Sequence, residues 1–196
     1  MPALGVNVAV IRSGQILMTK REDFEVWCMP GGAVDDCESV AQAAIREVRE
    51  ETGLEVELTR LVGIYSRPQW RRGIHIVLFA AKPIGGALQP QPGEVIEVGY
   101  FDPDNLPKPL LYAQHSRIVD ALNGIGGSVA CAQNMVLPFD EGLTRQDIYS
   151  LRDQSGLPRQ AFYLKHFGHL LESEDADIEV GRRPAGLKNG QSNGLT

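Results

Sequence analysis

The stretch GAVDDCESVAQAAIREVREETGL, from Gly32 to Leu54, decides the fold of this chain. Its second half predicts a helix, and at about 100° per residue the carboxylates of Glu47, Glu50 and Glu51 share one helix face. Like charges this close repel one another, so this face favours a positive partner. A divalent cation is the natural candidate, because Mg²⁺ prefers carboxylate oxygens as ligands. Taken alone, an acidic helix face is more often simply solvated.

The residues around this helix form a longer pattern. A glycine and five residues precede a glutamate, and seven residues separate that glutamate from an Arg-Glu pair. An aliphatic residue, a Glu-Glu pair, a glycine and a second aliphatic residue follow at fixed spacing. This pattern resembles the signature of the Nudix hydrolases, and the residues that match it are Gly32, Glu38, Arg46, Glu47, Val48, Glu50, Glu51, Gly53 and Leu54. The preceding Trp27, Pro30 and Gly31 also resemble the family.

The fold that the resemblance implies is a Nudix-type α/β/α sandwich with a mixed sheet. Hydrophobic patterning and turn residues also predict a mixture of strands and helices. The predicted strands cover residues 4–12, 15–20, 55–66, 73–82 and 94–101, the predicted helices 39–52 and 114–122, and a Gly/Pro-rich loop 83–93. Both lines of argument therefore lead to the α/β class.

The chain divides into three parts. We expect a Nudix domain over residues 1–124, a small helical C-terminal extension over residues 125–180 and a disordered tail over residues 181–196. Within the extension, Thr144 is a predicted N-cap, and Pro158 is the predicted first residue of a second helix. The resemblance does not cover this extension. A packing or dimerising helical hairpin is the favoured interpretation, which leaves a homodimer open.

The resemblance also implies a catalytic set, which would be Arg46, Glu47, Glu50 and Glu51. The ligands of a bound Mg²⁺ or Mn²⁺ would be the side chains of Glu47, Glu50 and Glu51 with the backbone carbonyl of Gly31. Glu47 would also orient or deprotonate the attacking water, while Arg46 and Glu38 would brace the loop and the helix. The implied reaction is hydrolysis of a nucleoside diphosphate linked to another moiety.

A further acidic ligand often comes from outside the pattern in this family. Glu94 and Glu97 are the two candidates, and each would otherwise be an ordinary exposed strand carboxylate. Glu97 is favoured, because it directly precedes the segment 98–101 that ends a predicted strand. Glu97 therefore joins the predicted metal ligands.

Substrate contacts are predicted in the glycine turn and in the loop around residues 65–72. Only glycine lets the backbone come close to a diphosphate, which favours Gly32. Arg67 and Arg71 could hold phosphates and Trp70 could stack on a base, although a charged hairpin tip explains these residues equally well. The start of this loop resembles ADP-ribose pyrophosphatases. ADP-ribose or a nucleotide sugar is therefore the favoured substrate, with (d)NTPs next.

Composition sets outer limits on partners and location. The chain has 196 residues and a formal net charge of −6, which argues against a generic nucleic-acid or anionic-membrane binder. Its three cysteines follow no metal-ligand pattern, and neither a signal peptide nor a membrane span is evident. We therefore expect a cytoplasmic enzyme with reduced thiols and a small nucleoside diphosphate-linked substrate.

Two other functions remain open. Two predicted helices around Gly156 resemble a helix-turn-helix, so the protein could instead be a nucleotide-sensing transcription regulator that uses the extension. Against this, Arg152 occupies a position where a small residue is wanted, and residues 140–170 carry as many acidic as basic residues. An isopentenyl diphosphate isomerase would share the fold, but the intact glutamate set favours hydrolysis.

Overall fold

The described part of the chain centres on a mixed sheet. The structure is a computed structural model that describes residues 2–69, 73–125, 129–133, 138–139, 142–172 and 176–180. Its strands are β1 (Ala3–Arg12), β2 (Gln15–Arg21), β3 (Trp27–Cys28), β4 (Leu54–Arg67), β5 (Ile74–Gly86), β6 (Val95–Phe101), β7 (Val129–Gln133) and β8 (Ala176–Val180). Its helices are α1 (Val40–Thr52), α2 (His115–Leu122), α3 (Arg145–Gln154), α4 (Arg159–Phe167) and α5 (His169–Glu172), with a 3₁₀ turn at Pro103–Asn105. Within these ranges, none of the helices has the length and apolarity that crossing a bilayer requires.

The sheet has the strand order β3-β2-β1-β5-β4-β7-β8, and β6 pairs with β2 off this path. β1 and β5 run parallel, whereas β4 and β5 run antiparallel. α1 packs on one face through Ala43, Ala44 and Val48, and α2 packs in a second core cluster through Ile118 and Ala121. This layering confirms the predicted α/β/α sandwich with a mixed sheet.

The first strand explains how one sheet supports two cores. Val6, Val8 and Val10 belong to the core beneath α1, while Ala9 belongs to the core beneath α2. Successive side chains of a strand point to opposite faces, so a strand covered on both faces must be apolar at nearly every position. This is why β1 lacks the alternation of a half-exposed strand.

The termini of α1 lie where local signals predict them. The Ser39 Oγ accepts a hydrogen bond from the Gln42 N–H at 3.2 Å, and the Gln42 Oε1 accepts one from the Ser39 N–H at 2.8 Å. At the other end, Gly53 has a φ of 73° and donates its N–H to the Arg49 carbonyl at 2.9 Å. This capping box and left-handed glycine end the helix at both sides, which confirms the predicted helix.

One predicted loop is wrong at its start. The loop expected over residues 83–93 begins later, because β5 continues to Gly86 and pairs with the first residues of β4. Proline has no backbone N–H to donate to a neighbouring strand. Pro83 is tolerated there because it pairs with Val56 beside a register shift, where the regular hydrogen-bond pattern between the strands is interrupted.

The extension contains two strands that the sequence did not predict, because β7 pairs with β4 and β8 pairs with β7. Thr144 caps α3 as predicted, and its Oγ1 accepts a hydrogen bond from the Asp147 N–H at 3.2 Å. Pro158 directly precedes α4, which ends at Phe167, and the short α5 follows it. The predicted tail over residues 181–196 lies outside the described residues.

An aromatic cluster fixes the extension on the N-terminal domain. Its buried members are Val26, Ala113, Ile148, Phe162, Tyr163, Phe167 and Leu170. The Tyr163 hydroxyl accepts a hydrogen bond from the Tyr112 N–H at 2.7 Å and donates one to the Leu110 carbonyl at 3.1 Å. Burial of large aromatic side chains supplies most of the stability of such a contact. The extension is therefore packed against the domain.

This packing predicts that Phe162→Ala strongly destabilises the folded protein, since the Phe162 side chain is 2% exposed. We expect a loss of about 3–5 kcal/mol in the free energy of unfolding, which is the usual cost of a buried Phe-to-Ala change. Urea denaturation followed by circular dichroism measures it. The control is Leu164→Ala on the same helix, where Leu164 is 44% exposed and the expected change is below about 0.5 kcal/mol. Equal effects of the two changes would contradict the packing described here.

Candidate active site

A large cleft opens between α1 and the C-terminal extension. Its volume is about 1440 Å³, which is ample for a nucleotide-sized ligand. From the N-terminal domain, the lining includes the carboxylates of Glu47, Glu51 and Glu94. From α3 of the extension, it includes Arg145 and Tyr149. The cleft therefore joins the predicted catalytic helix to a part of the chain beyond the predicted domain.

The glycine turn brings the backbone against two carboxylates. Gly31 has a φ of 146°, and a Cβ on it would lie 2.1 Å from the Val6 carbonyl oxygen, so only glycine fits. The Gly31 N–H donates a hydrogen bond to the Glu51 Oε2 at 3.0 Å. A Cβ on Gly32 would lie 2.5 Å from the Glu47 Oε1. A side chain at Gly31 would therefore clash with β1, and one at Gly32 would displace the Glu47 carboxylate.

Arg46 braces the acidic face of α1. Its Nη2 donates to the Glu38 Oε1 at 2.6 Å, and its Nη1 donates to the Glu47 Oε1 at 2.9 Å and to the Glu50 Oε2 at 3.1 Å. The same guanidinium donates to the Ala33 carbonyl at 3.1 Å. One arginine thus links the loop before the helix to two of its glutamates, which is the bracing role expected for Arg46 and Glu38.

Burial and mutual repulsion act on the carboxylates of Glu47 and Glu51. Glu51 is only 7% exposed, and burial raises the pKa of its carboxyl to about 8. The hydrogen bond from Gly31 and the charge of Arg21 oppose this rise, while the charges of Glu47 and Glu94 add to it. Burial likewise raises the pKa of Glu47. This end of the cleft therefore resists the accumulation of negative charge.

The donor set at this end fits a divalent cation. Among the described residues, no three acidic, histidine or cysteine side chains already form a metal cage. Arg46 binds both Glu47 and Glu50, and Glu50 does not line the cleft. Glu47, Glu51 and Glu94 nevertheless line one cleft. The negative charges of Glu47 and Glu94 oppose the ionisation of Glu51. A cation would relieve that repulsion, and carboxylate oxygens suit Mg²⁺.

The structure brings Glu94 rather than the expected Glu97 to the cleft, which favours Glu94 of the two candidate metal ligands. Glu97 lies on β6 opposite Lys20 of β2, with 3.9 Å between its Oε2 and the Lys20 Nζ, and its side chain is 59% exposed. Glu94 lies just before β6 and lines the cleft. The pairing of β6 with β2 therefore turns Glu97 to the surface.

The predicted substrate residues divide into two groups. Gly32 and Arg67 line the cleft, and Arg67 is 6% exposed with its guanidinium 5.1 Å from the centre of the Tyr112 ring. Trp70 and Arg71 lie outside the described residues. Arg67 is thus the predicted phosphate-binding arginine that the structure locates in the cleft.

Sequence reasoning missed other polar residues of the cleft. Arg117 on α2 is 1% exposed and donates to the Asn7 Oδ1 at 2.9 Å and to the Gln133 Oε1 at 2.6 Å. A lone arginine in a short amphipathic helix has no local signal that distinguishes it from a surface residue. Arg145 and Tyr149 were missed because they follow the segment that the family pattern covers.

Comparisons with known proteins agree with this geometry. The NUDIX domain family model matches residues 1–122, so the chain belongs to the NUDIX family and is a Nudix hydrolase. A Bacillus subtilis protein with the provisional name 8-oxo-dGTP diphosphatase is 36% identical over 121 residues, which are 61% of this chain and 80% of that protein. An ADP-ribose pyrophosphatase of Methanocaldococcus jannaschii is 34% identical over 123 residues, which are 60% of this chain and 71% of that protein.

A solved structure gives the same result. The crystal structure of an ADP-ribose pyrophosphatase from Streptococcus suis has a TM-score of 0.56 and 30% identity, and the match covers 63% of this chain and 92% of that one. The chain is therefore a hydrolase that acts on nucleoside diphosphate derivatives. The helices α3, α4 and α5 lie beyond the residues that the family model matches.

The raised pKa of Glu51 predicts how stability changes with pH in the metal-free protein. The folded pKa of about 8 lies above the ordinary value of 4.5, so the folded state binds this proton more tightly than the unfolded state. The stabilising contribution is complete below pH 4.5 and disappears as the pH rises to about 8. In EDTA, the Tm of the wild-type protein should therefore fall over this window more than that of Glu51→Gln. Parallel pH profiles would contradict the prediction.

Glu94 and Glu97 provide a matched pair of variants. Each change to glutamine removes one carboxylate near the same strand, but only Glu94 lines the cleft. We expect Glu94→Gln to lower kcat/KM at least about tenfold, because it replaces a charged carboxylate at the acidic end with a neutral amide, which binds a cation more weakly. Glu97→Gln should stay within about twofold of the wild type. A larger loss in Glu97→Gln would reverse the assignment.

Proposed function

We propose that this Nudix hydrolase cleaves the diphosphate linkage of a nucleoside diphosphate derivative with a divalent metal, Mg²⁺ or Mn²⁺. The observation that carries the proposal is the convergence of Glu47, Glu51 and Glu94 on one cleft beside the turn at Gly31 and Gly32. A negatively charged diphosphate can approach such carboxylates only if a cation neutralises them. A bound metal would supply that charge and the Lewis acidity for the departing phosphate.

The chain's own residues have separate tasks in this proposal. Glu47, Glu51 and Glu94 would hold the metal, and the Gly31 N–H keeps the Glu51 carboxylate oriented at 3.0 Å. Arg46 positions Glu47 through a hydrogen bond of 2.9 Å. Glu47 would also orient the attacking water or accept its proton.

ADP-ribose or a nucleotide sugar is the favoured substrate, with (d)NTPs second. The similarity to two ADP-ribose pyrophosphatases supports the first class. The buried Arg67 in the cleft lining adds a guanidinium suited to a phosphate. The similarity to the protein with the provisional name 8-oxo-dGTP diphosphatase supports the second class.

Product release from a substrate panel tests the proposal. The panel contains ADP-ribose, NADH, diadenosine polyphosphates, nucleotide sugars and dNTPs, each with Mg²⁺ or Mn²⁺ and with EDTA. We expect cleavage of one class, loss of it in EDTA and a drop of at least about 100-fold in Glu51→Gln. The matched control is Glu57→Gln, because Glu57 is an exposed strand glutamate paired with Lys82. Full activity in EDTA or in Glu51→Gln would contradict the proposal. Absence of hydrolysis of every substrate in the panel would also contradict it.

A second candidate function is a nucleotide-sensing transcription regulator, and the arrangement of α3 and α4 favours it. The turn between the two helices contains Gly156 with a φ of 69°, which resembles a helix-turn-helix. Arg152, which argued against this interpretation, is 8% exposed and lies beside the rings of Phe24 and Tyr149. Gel-shift assays with duplex DNA at low salt, with and without ADP-ribose, test it. Absence of DNA affinity in both conditions would eliminate this candidate.

A further inference from the structure

The extension forms part of the lining of the catalytic cleft. Thr144, Arg145, Ile148 and Tyr149 of the extension line the same cleft as the carboxylates of α1. These four residues lie at the start of α3, outside the residues that the family model matches. A ligand that extends through this cleft from the carboxylates to α3 would therefore contact the extension.

Hydrogen bonds fix the position of α3 and α4 on the N-terminal domain. The Tyr149 hydroxyl donates to the Asp23 Oδ2 at 2.8 Å, and the Gln160 Nε2 donates to the Glu25 carbonyl at 3.0 Å. The same loop also reaches the acidic end of the cleft, because the Glu22 N–H donates to the Glu94 carbonyl at 2.8 Å. The extension is therefore held to a loop that is itself bonded to a residue of the proposed metal site.

The arginines of α3 and α4 differ in their contacts. Arg152 donates to the Asp23 carbonyl and to the Asp153 carboxylate, and Arg159 donates to the Glu22 carbonyl at 2.8 Å. Arg145 is exposed to the cleft, and within the part of the chain that the structure describes it forms no hydrogen bond or ion pair. Two guanidiniums are thus committed to the fold, while the third is available to a ligand.

The surroundings of Arg145 suit an anionic group. Burial raises the pKa of the Tyr112 and Tyr149 phenols, and the nearby charge of Arg145 is among those that oppose this rise. Arg145 lines the same cleft as both of these tyrosines. A diphosphate carries at least two negative charges, and carboxylates cannot bind it directly. Its phosphate oxygens need positive partners beyond the metal, and a guanidinium binds them with good geometry.

We propose that Arg145 of the extension is a substrate-binding residue that contacts a phosphate of the nucleoside diphosphate substrate. The extension then completes the substrate site instead of serving only as a packing element. This inference rests on the proposed function, because it assumes an anionic nucleotide in the cleft.

The test compares Arg145→Ala with Lys165→Ala in the full chain with Mg²⁺. Lys165 is exposed on α4 and does not line the cleft, so each variant removes one positive charge from the extension. We expect Arg145→Ala to raise the KM for ADP-ribose, or for dGTP if that is the better substrate, about tenfold. Its kcat should stay within about twofold, because the contact is made equally before and during the reaction.

Two further readouts separate substrate binding from a structural role. Arg145→Lys keeps the charge and should recover part of the loss in KM. The KM of the wild type should also rise more steeply with NaCl than that of Arg145→Ala, because salt screens the contact. A KM in Arg145→Ala that equals that of Lys165→Ala would overturn the inference.

Calorimetry separates failure of the inference from failure of the proposed function. ADP-ribose and dGTP are titrated into the wild type and both alanine variants. If the wild type binds a probe but cleaves nothing, the proposed function fails, and weaker binding by Arg145→Ala alone still supports the inference. If the wild type cleaves the probe and Arg145→Ala binds it as tightly, only the inference fails. If the wild type neither binds nor cleaves either probe, both fail.

Discussion

The hydrogen bond from the Gly31 N–H to the buried carboxylate of Glu51 is the contact on which the site depends. It holds α1 against a turn that is itself fixed to β1, because the Val6 N–H donates to the Gly32 carbonyl at 2.9 Å and the Val8 N–H donates to the Pro30 carbonyl at 2.9 Å. Burial of a carboxylate is unfavourable unless it gains such partners. A cation at this position would add a stronger partner, so the burial that disfavours the ionised Glu51 carboxylate would also favour metal binding.

The extension both packs on the N-terminal domain and lines the cleft. Its aromatic side chains pack on the N-terminal domain through Phe162, Tyr163 and Phe167, and its polar side chains bind the loop around Asp23. The same packing places Arg145 in the cleft lining. The interface that stabilises the extension therefore also places α3 in the cleft lining. A ligand that contacts α3 would contact one of the two helices that resemble a helix-turn-helix.

Local patterns predicted much of the fold and the part of the candidate site that lies on α1 and the glycine turn. Ser39 and Gly53 determine the ends of α1 through contacts within a few residues, and the fixed spacing of Glu47 and Glu51 follows from the helix itself. The choice between Glu94 and Glu97 depends instead on how β6 pairs with β2, which no local signal specifies. The strands β7 and β8 and the contribution of Arg145 likewise depend on partners far away along the chain.

Mn²⁺ binding is the most direct test of the central claim that these carboxylates form a catalytic metal site. Electron paramagnetic resonance follows free Mn²⁺ as it is titrated into the wild-type protein and into Glu51→Gln at pH 8.5. We expect saturable binding by the wild type that is at least about tenfold weaker in Glu51→Gln, since a buried carboxylate donor is lost. Equal Mn²⁺ affinity in the two proteins, or no binding by the folded wild type, would contradict it.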